Sequence, residues 1–301
     1  MQRRTFIRNT SLSAAALTFL NSSLFAALLP DPAWKIKMLT DNIGIFSEKG
    51  GTILFLITKK GIVVVDSQFA DTAPHLIEEL KKKSTQPFRF LINTHHHSDH
   101  TSGNISFKGL VKHVVAHENS LTNQIAAAVK AKTEAKQLYP DRTFDDAGWY
   151  RKVGNEGIQT YYFGPGHTNG DSIIHFETSN IAHMGDLVFN RRYPYIDKSN
   201  GASVKNWIKI LRKADHTFDD KTQFVFGHSA TGYDITGNKD DIKAFKDYLE
   251  KLLEFGKQEI LRSGKSKEEF LKNKTIPGVT EWKGDGIERS LTAVWEELTS
   301  I

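Results

Sequence analysis

The six-residue run His95-His96-His97-Ser98-Asp99-His100 directly follows an apolar segment, Phe88-Arg89-Phe90-Leu91-Ile92-Asn93-Thr94, and constrains this chain more than any other stretch. Imidazoles and carboxylates packed this densely beside a buried strand need partners, because an unpaired buried polar group is costly. In an extended segment residues i and i+2 point the same way, so His95 and His97 can grip one cation together. Asp99 and His100, a little further on, can face a second. His96 points away at i+1, which predicts a solvent-facing or supporting role.

Four other apolar runs end in the same manner. Ile62-Val63-Val64-Val65 stops at Asp66, Tyr161-Tyr162-Phe163 runs through Gly166 into His167, Ile181 to Gly185 delivers Asp186, and Phe224 to Gly227 delivers His228. Ligands gather outside the strand ends of layered α/β sheets, so tips far apart in sequence can converge. Zinc takes about four ligands, with a water completing a catalytic site. The pattern therefore predicts one metal site of His95, His97 and His167 and a second of Asp99, His100 and His228. Asp186, with two oxygens, is left to bridge them; such pairs of ions lie about 3.5–4 Å apart. The chain has no cysteine, so disulfides, thiolate ligands and a cysteine nucleophile are excluded. His117 and His183 read as packing or supporting residues, and His75, His113, His175 and His216 carry no functional signal.

The remaining pattern predicts strands at 52–58, 62–66, 88–93, 111–116, 158–163, 172–177, 181–184 and 223–226. Helices are predicted at 72–83, 118–138, 203–214 and about 239–262, with an irregular excursion at 139–157 and a partly helical tail. No repeat or linker divides residues 30–301. The order favours a single layered α/β domain with a C-terminal helical extension, sheets inside and helices outside.

Lys and Arg number 40 against 35 Asp and Glu; without Arg3, Arg4 and Arg8 the balance is 37 to 35. A near-neutral body excludes a basic nucleic-acid footprint. Those three arginines open a head segment, residues 1–29, whose apolar run from Leu12 to Leu29 ends at Pro30-Asp31-Pro32. It resembles a bacterial twin-arginine export signal, implying a periplasmic or secreted protein. A retained membrane anchor is the competing reading. Asn21-Ser22-Ser23 interrupts the run of about 20 apolar residues that a spanning helix wants, so no stable membrane insertion is expected after cleavage.

With these motifs in place, residues 41–262 resemble the metallo-β-lactamase superfamily. His95 to His100 looks like its His-x-His-x-Asp-His signature, and His167, Asp186 and His228 match the later motifs in order. The resemblance implies a four-layer αββα sandwich with the metals at one edge of the two sheets. It also implies that Asp66 supports the metal-ligand loop rather than binding metal. The absence of cysteine removes the β-lactamase subclass with a cysteine ligand. His97 stands where members that reduce oxygen at two irons carry Glu.

The expected reaction is hydrolysis of a small carbonyl substrate (ester, thioester, lactone or β-lactam) by a hydroxide bridging two zinc ions, with Asp99 as ligand and proton shuttle. Iron or manganese are the other candidate metals, and a mono-iron persulfide dioxygenase of the same fold is the alternative. Arg191, Arg192, Tyr193 and Tyr195 follow Asp186 closely and are candidates to line the pocket.

Overall fold

A computed structural model describes residues 33–299. The expected export segment, residues 1–29, lies outside the described residues. From Ile36 onward the chain forms one compact unit. Strands β1 (Lys35–Met38), β2 (Ile43–Ser47), β3 (Ile53–Thr58), β4 (Gly61–Val65), β5 (Phe88–Ile92), β6 (Val111–His117) and β7 (Arg142–Phe144) form a first sheet in that order. They are followed by β8 (Tyr150–Val153), β9 (Glu156–Tyr161), β10 (Ile173–Phe176), β11 (Ile181–His183), β12 (Phe189–Asn190), β13 (Gln223–Val225), β14 (His228–Ser229) and β15 (Thr236–Gly237). The second sheet orders these as β15-β13-β11-β10-β9-β8, and β12 pairs with β14 in a short parallel ladder.

Runs of β-branched residues become strands buried on both faces. Every residue from Ile62 to Val65 is fully buried, as expected of a strand covered on both sides. Leu54, Leu56, Val63, Val65, Ile92 and Val115 of the first sheet pack against Ile158, Ile174, Phe176 and Val225 of the second. Helices α1 (Ala73–Lys83), α2 (Ser98–Thr101) and α3 (Glu118–Ala131) follow strands of the first sheet. Helices α4 (Val204–Thr217), α5 (Lys239–Gly256), α6 (Lys267–Leu271) and α7 (Ile287–Thr299) follow those of the second. Trp207 and Leu211 of α4, Phe245 and Leu249 of α5, and Leu291 and Val294 of α7 share a core with Ile173, Ala182 and Phe224 of the second sheet. The layers are those of an αββα sandwich, and the C-terminal helices belong to its outer layer.

Two expectations need correction. The helix expected to reach 138 stops at Ala131, where Lys132 adopts a left-handed backbone (φ 56°) and its N–H closes on Ala128 and Val129. The Lys- and Ala-rich sequence beyond is helix-compatible, but the left-handed residue ends the helix. The excursion at 139–157 contains β7 and β8, and β8 forms a hairpin with β9. Gly154, at φ 64° in its two-residue turn, is turn punctuation rather than a sign of irregular chain.

Candidate metal centre

Parallel strands deliver their C-terminal ends to one edge. β4, β5 and β6 run parallel, as do β11 and β13. Asp66 follows β4, His95 follows β5, Asp186 follows β11, and His228 follows β13 after the turn at Gly227. His167 lies in the β9–β10 connection. His97 precedes the single turn of α2, which carries Asp99 and His100.

The seven candidate ligands converge. His95 Nε2 lies 3.9 Å and His167 Nε2 3.5 Å from Asp186 Oδ2, while His97 Nδ1 is 2.9 Å from His167 Nε2. On the other side, His100 Nε2 is 3.1 Å from Asp186 Oδ1. His228 Nε2 is 3.1 Å from Asp99 Oδ2 and 3.4 Å from Asp186 Oδ2. Donor atoms of His95, His97, His167 and Asp186 all fall within 4.8 Å of one another, and so do those of Asp99, His100 and His228.

His95 Nε2, His100 Nε2 and Asp186 Oδ1 are buried with no hydrogen-bond partner. Buried polar atoms are normally paired, and unpaired ones on either side of Asp186, His95 Nε2 and His100 Nε2, fit the donor sets of cations. The His100–Asp186 approach is close without the alignment of a hydrogen bond. Burial, then the neighbouring His100, keeps His95 well below its usual pKa. Burial and His97 bring His167 to about 3. Neutral imidazoles with free lone pairs are the form a metal needs. Burial disfavours charge on His100 and His228 too, but Asp186 outweighs it, raising His100 well above its usual value and His228 to about 9. Asp99 is driven to about 2; burial resists, but His100 and the bond from His228 prevail. The Asp99 side thus offers one carboxylate and two imidazoles, and the other side three imidazoles with Asp186.

A surrounding shell fixes each ring. Asp66 accepts from Thr94 N–H and Thr94 Oγ1, both at 2.8 Å, and from His100 Nδ1 at 2.7 Å. The His100 tautomer is thereby set, with Nε2 turned toward Asp186. His167 Nδ1 donates to the Tyr195 carbonyl at 2.7 Å, and His97 Nε2 lies 2.9 Å from Asp197 Oδ2. Asp197 is the partner that sequence reasoning missed: a single carboxylate 100 residues from His97 gives no spacing to read. His96 is not solvent-facing; it is buried, with Nε2 3.7 Å from Asp197, which leaves the supporting role. His183 donates from Nε2 to the Thr52 carbonyl and accepts Gly185 N–H on Nδ1. It thereby braces the left-handed Gly185 (φ 51°) just before Asp186. His117 accepts Asn119 N–H at the start of α3 and stacks on Tyr162.

A cavity of about 330 Å³ opens over Asp99, Asp186 and His228, with Arg192, Tyr193, Tyr195 and Arg289 among its walls. Arg191 is not among them. Its backbone is left-handed (φ 55°), and its guanidinium pairs with Asp241 Oδ1 at 3.0 Å and Glu281 Oε2 at 3.3 Å. Arg192 lines the cavity instead. Arg289 comes from α7, where no sequence motif marked it.

The sequence profile of the metallo-beta-lactamase superfamily matches residues 48–228, more than half of the chain, and the chain belongs to that superfamily. It is 25% identical over 206 residues to metallo-beta-lactamase type 2 of Elizabethkingia meningoseptica, covering 65% of this chain and 79% of the relative. It is 27% identical over 207 residues to metallo-beta-lactamase type 2 of Bacillus cereus, covering 65% and 77%. Among solved structures it resembles the metallo-beta-lactamase of Pontibacter korlensis in fold, with a TM-score of 0.61 at 19% identity over 72% of this chain and 99% of the other. Fold, donor set and relatives agree on a metal-dependent hydrolase.

Proposed function

We propose that the protein is an exported di-zinc hydrolase of small carbonyl compounds (an ester, thioester, lactone or β-lactam) that carry an anionic group. Two adjoining donor sets, the first including Asp186 and the second with His100 and His228 within 3.4 Å of it, are the observation that carries this reading. His95, His97 and His167 would hold one ion and Asp99, His100 and His228 the other. Two zinc ions, when bound, supply a water acidified to a pKa of about 7 and a Lewis acid for the carbonyl oxygen. Asp99, with its side chain partly open to the cavity, accepts the proton released on attack and returns it to the leaving group. Arg192 and Arg289 form no ion pair within the described residues, and Arg289 Cζ stands 6.0 Å from the Tyr195 ring. Two free guanidiniums beside the site suit a substrate carboxylate. The named relatives are metallo-beta-lactamases, which places β-lactams on the panel.

Elemental mass spectrometry of protein purified without added metal is expected to give about two zinc per chain. About one iron, with oxygen consumed in the presence of persulfides, would overturn the reading in favour of the dioxygenase. Arg289→Ala is expected to raise KM for benzylpenicillin about tenfold while leaving the rate with its methyl ester unchanged; equal effects on both would remove the anion role. No helix among the described residues is long and apolar enough to cross a membrane. Replacing Arg3 and Arg4 together by Lys is expected to retain the protein inside the cell, as read by fractionation.

A further inference from the structure

Helix α3 buries several polar residues and exposes several apolar ones. Its inward side carries Ser120, Asn123 and Gln124, with Asn123 Nδ2 bonded to Asn169 and Gln124 Nε2 to Asn93. Its outward side carries Ile125 and Val129, 43% and 55% exposed, together with the exposed Ala126, Ala127 and Ala131. A surface helix ordinarily shows the opposite arrangement, so this face has something to cover.

Beside that helix lies a groove of about 980 Å³, where Ala70, Ala126, Ala127 and Ala131 lie among polar walls that include Lys130 and Lys136; Ile125 and Val129 stand outside it. It is three times the size of the cavity over the candidate ligands, and the two share His97, Ser98 and Tyr195 as common walls. The groove therefore runs up to the metal centre across a saddle between Ser98 and Tyr195. His96 lines it, almost fully buried and with Nδ1 unpartnered. Beyond the saddle, on the far side of the candidate ligands, stand the unpaired Arg192 and Arg289. The candidate centre thus stands between a trough with an alanine strip edged by polar side chains and a mouth that carries two guanidiniums.

We propose that this groove holds an apolar chain of the substrate, so that the enzyme acts on amphiphilic acyl compounds with the chain along α3 and the anionic part toward α7. The assignment rests on the carbonyl-hydrolase reading above. Continuity with the catalytic cavity singles out substrate as the occupant, and the alanine strip leaves width for a methylene chain. Each methylene buried there contributes about a factor of four in affinity.

The test separates the groove from the chemistry. Binding of 1-octanol and 1-butanol, neutral and not hydrolysable, is measured on the metal-loaded protein by titration calorimetry. Hydrolysis of p-nitrophenyl octanoate and p-nitrophenyl acetate is measured in parallel. Octanol is expected to bind at least tenfold more tightly than butanol, and Ala127→Trp and Ala131→Trp to abolish that difference. Both substitutions lie on the exposed face of α3. The same variants should lower kcat/KM for the octanoate ester tenfold or more and leave the acetate ester within twofold. Failure to hydrolyse either ester or benzylpenicillin would sink the hydrolase reading, while octanol binding still decides whether the groove takes a chain. Equal octanol binding by wild type and both variants would overturn the proposal. So would an unchanged octanoate-to-acetate ratio accompanied by loss of co-sedimentation with phosphatidylglycerol vesicles, or of self-association in light scattering. The first would reassign the face to a lipid surface and the second to another copy of the chain.

Discussion

Asp186→Asn is expected to lower kcat/KM at least about a hundredfold and to leave the purified protein short of its full metal complement. Among the described residues, Asp186 is the one carboxylate within 4 Å of His95, His100, His167 and His228 together. Asparagine keeps its volume and one acceptor oxygen, so the fold should survive. It loses the charge that balances two cations and the second anionic oxygen that can join them. Replacing residues that merely orient ligands costs about 10–100-fold in metal affinity or activity, and a shared ligand should cost more. Metal content by mass spectrometry and turnover on the same sample check this, with circular dichroism confirming the fold. Two retained equivalents with undiminished turnover would remove Asp186 from its bridging role.

Asp66→Ala should be the most destabilising single change outside the ligands, by about 3–5 kcal/mol. Asp66 is fully buried and accepts three hydrogen bonds, two from Thr94 and one from His100. Alanine leaves all three donors without their acceptor. Asp66 also sits at φ 65°, a left-handed backbone that non-glycine residues enter at a cost of about 1–2 kcal/mol. Only its bonds justify that conformation. At about 2–4 °C per kcal/mol for a domain of this size, the melting temperature should fall by roughly 6–20 °C. Asp66→Asn, which keeps an acceptor for Thr94, should fall between wild type and alanine. A thermal shift under a few degrees for the alanine variant would show that the loop is held by other contacts.

The ligand set was legible because its chemistry is local: an apolar run, a turn, then a donor. His95 to His100 announce themselves by spacing, and Asp66, His167, Asp186 and His228 by the strands that end before them. Asp197 and Arg289 were not legible, since each reaches the centre only through tertiary packing, one from the loop before α4 and the other from the last helix. Arg191 was attractive for its nearness to Asp186 in sequence. A left-handed backbone at that residue turns it to Asp241 and Glu281, and sequence adjacency says nothing of such a turn. The polar inward side of α3 was likewise hidden, because Asn123 and Gln124 look like surface residues until Asn93 and Asn169 are seen beneath them. The helix end at Lys132 and the β8–β9 hairpin show the same limit on a smaller scale: single residues at positive φ decided both.

The candidate ligands on the first sheet's side, His95 to His100, are complete once the chain has passed residue 100, whereas His167, Asp186 and His228 come from the second sheet's side. A chain still emerging from the ribosome therefore holds only part of either donor set; the first waits for residue 186 and the second for residue 228. Loading belongs to the end of maturation. Cations seated across the edge would then act as a clasp between the two sheets, one that closes only on a finished molecule.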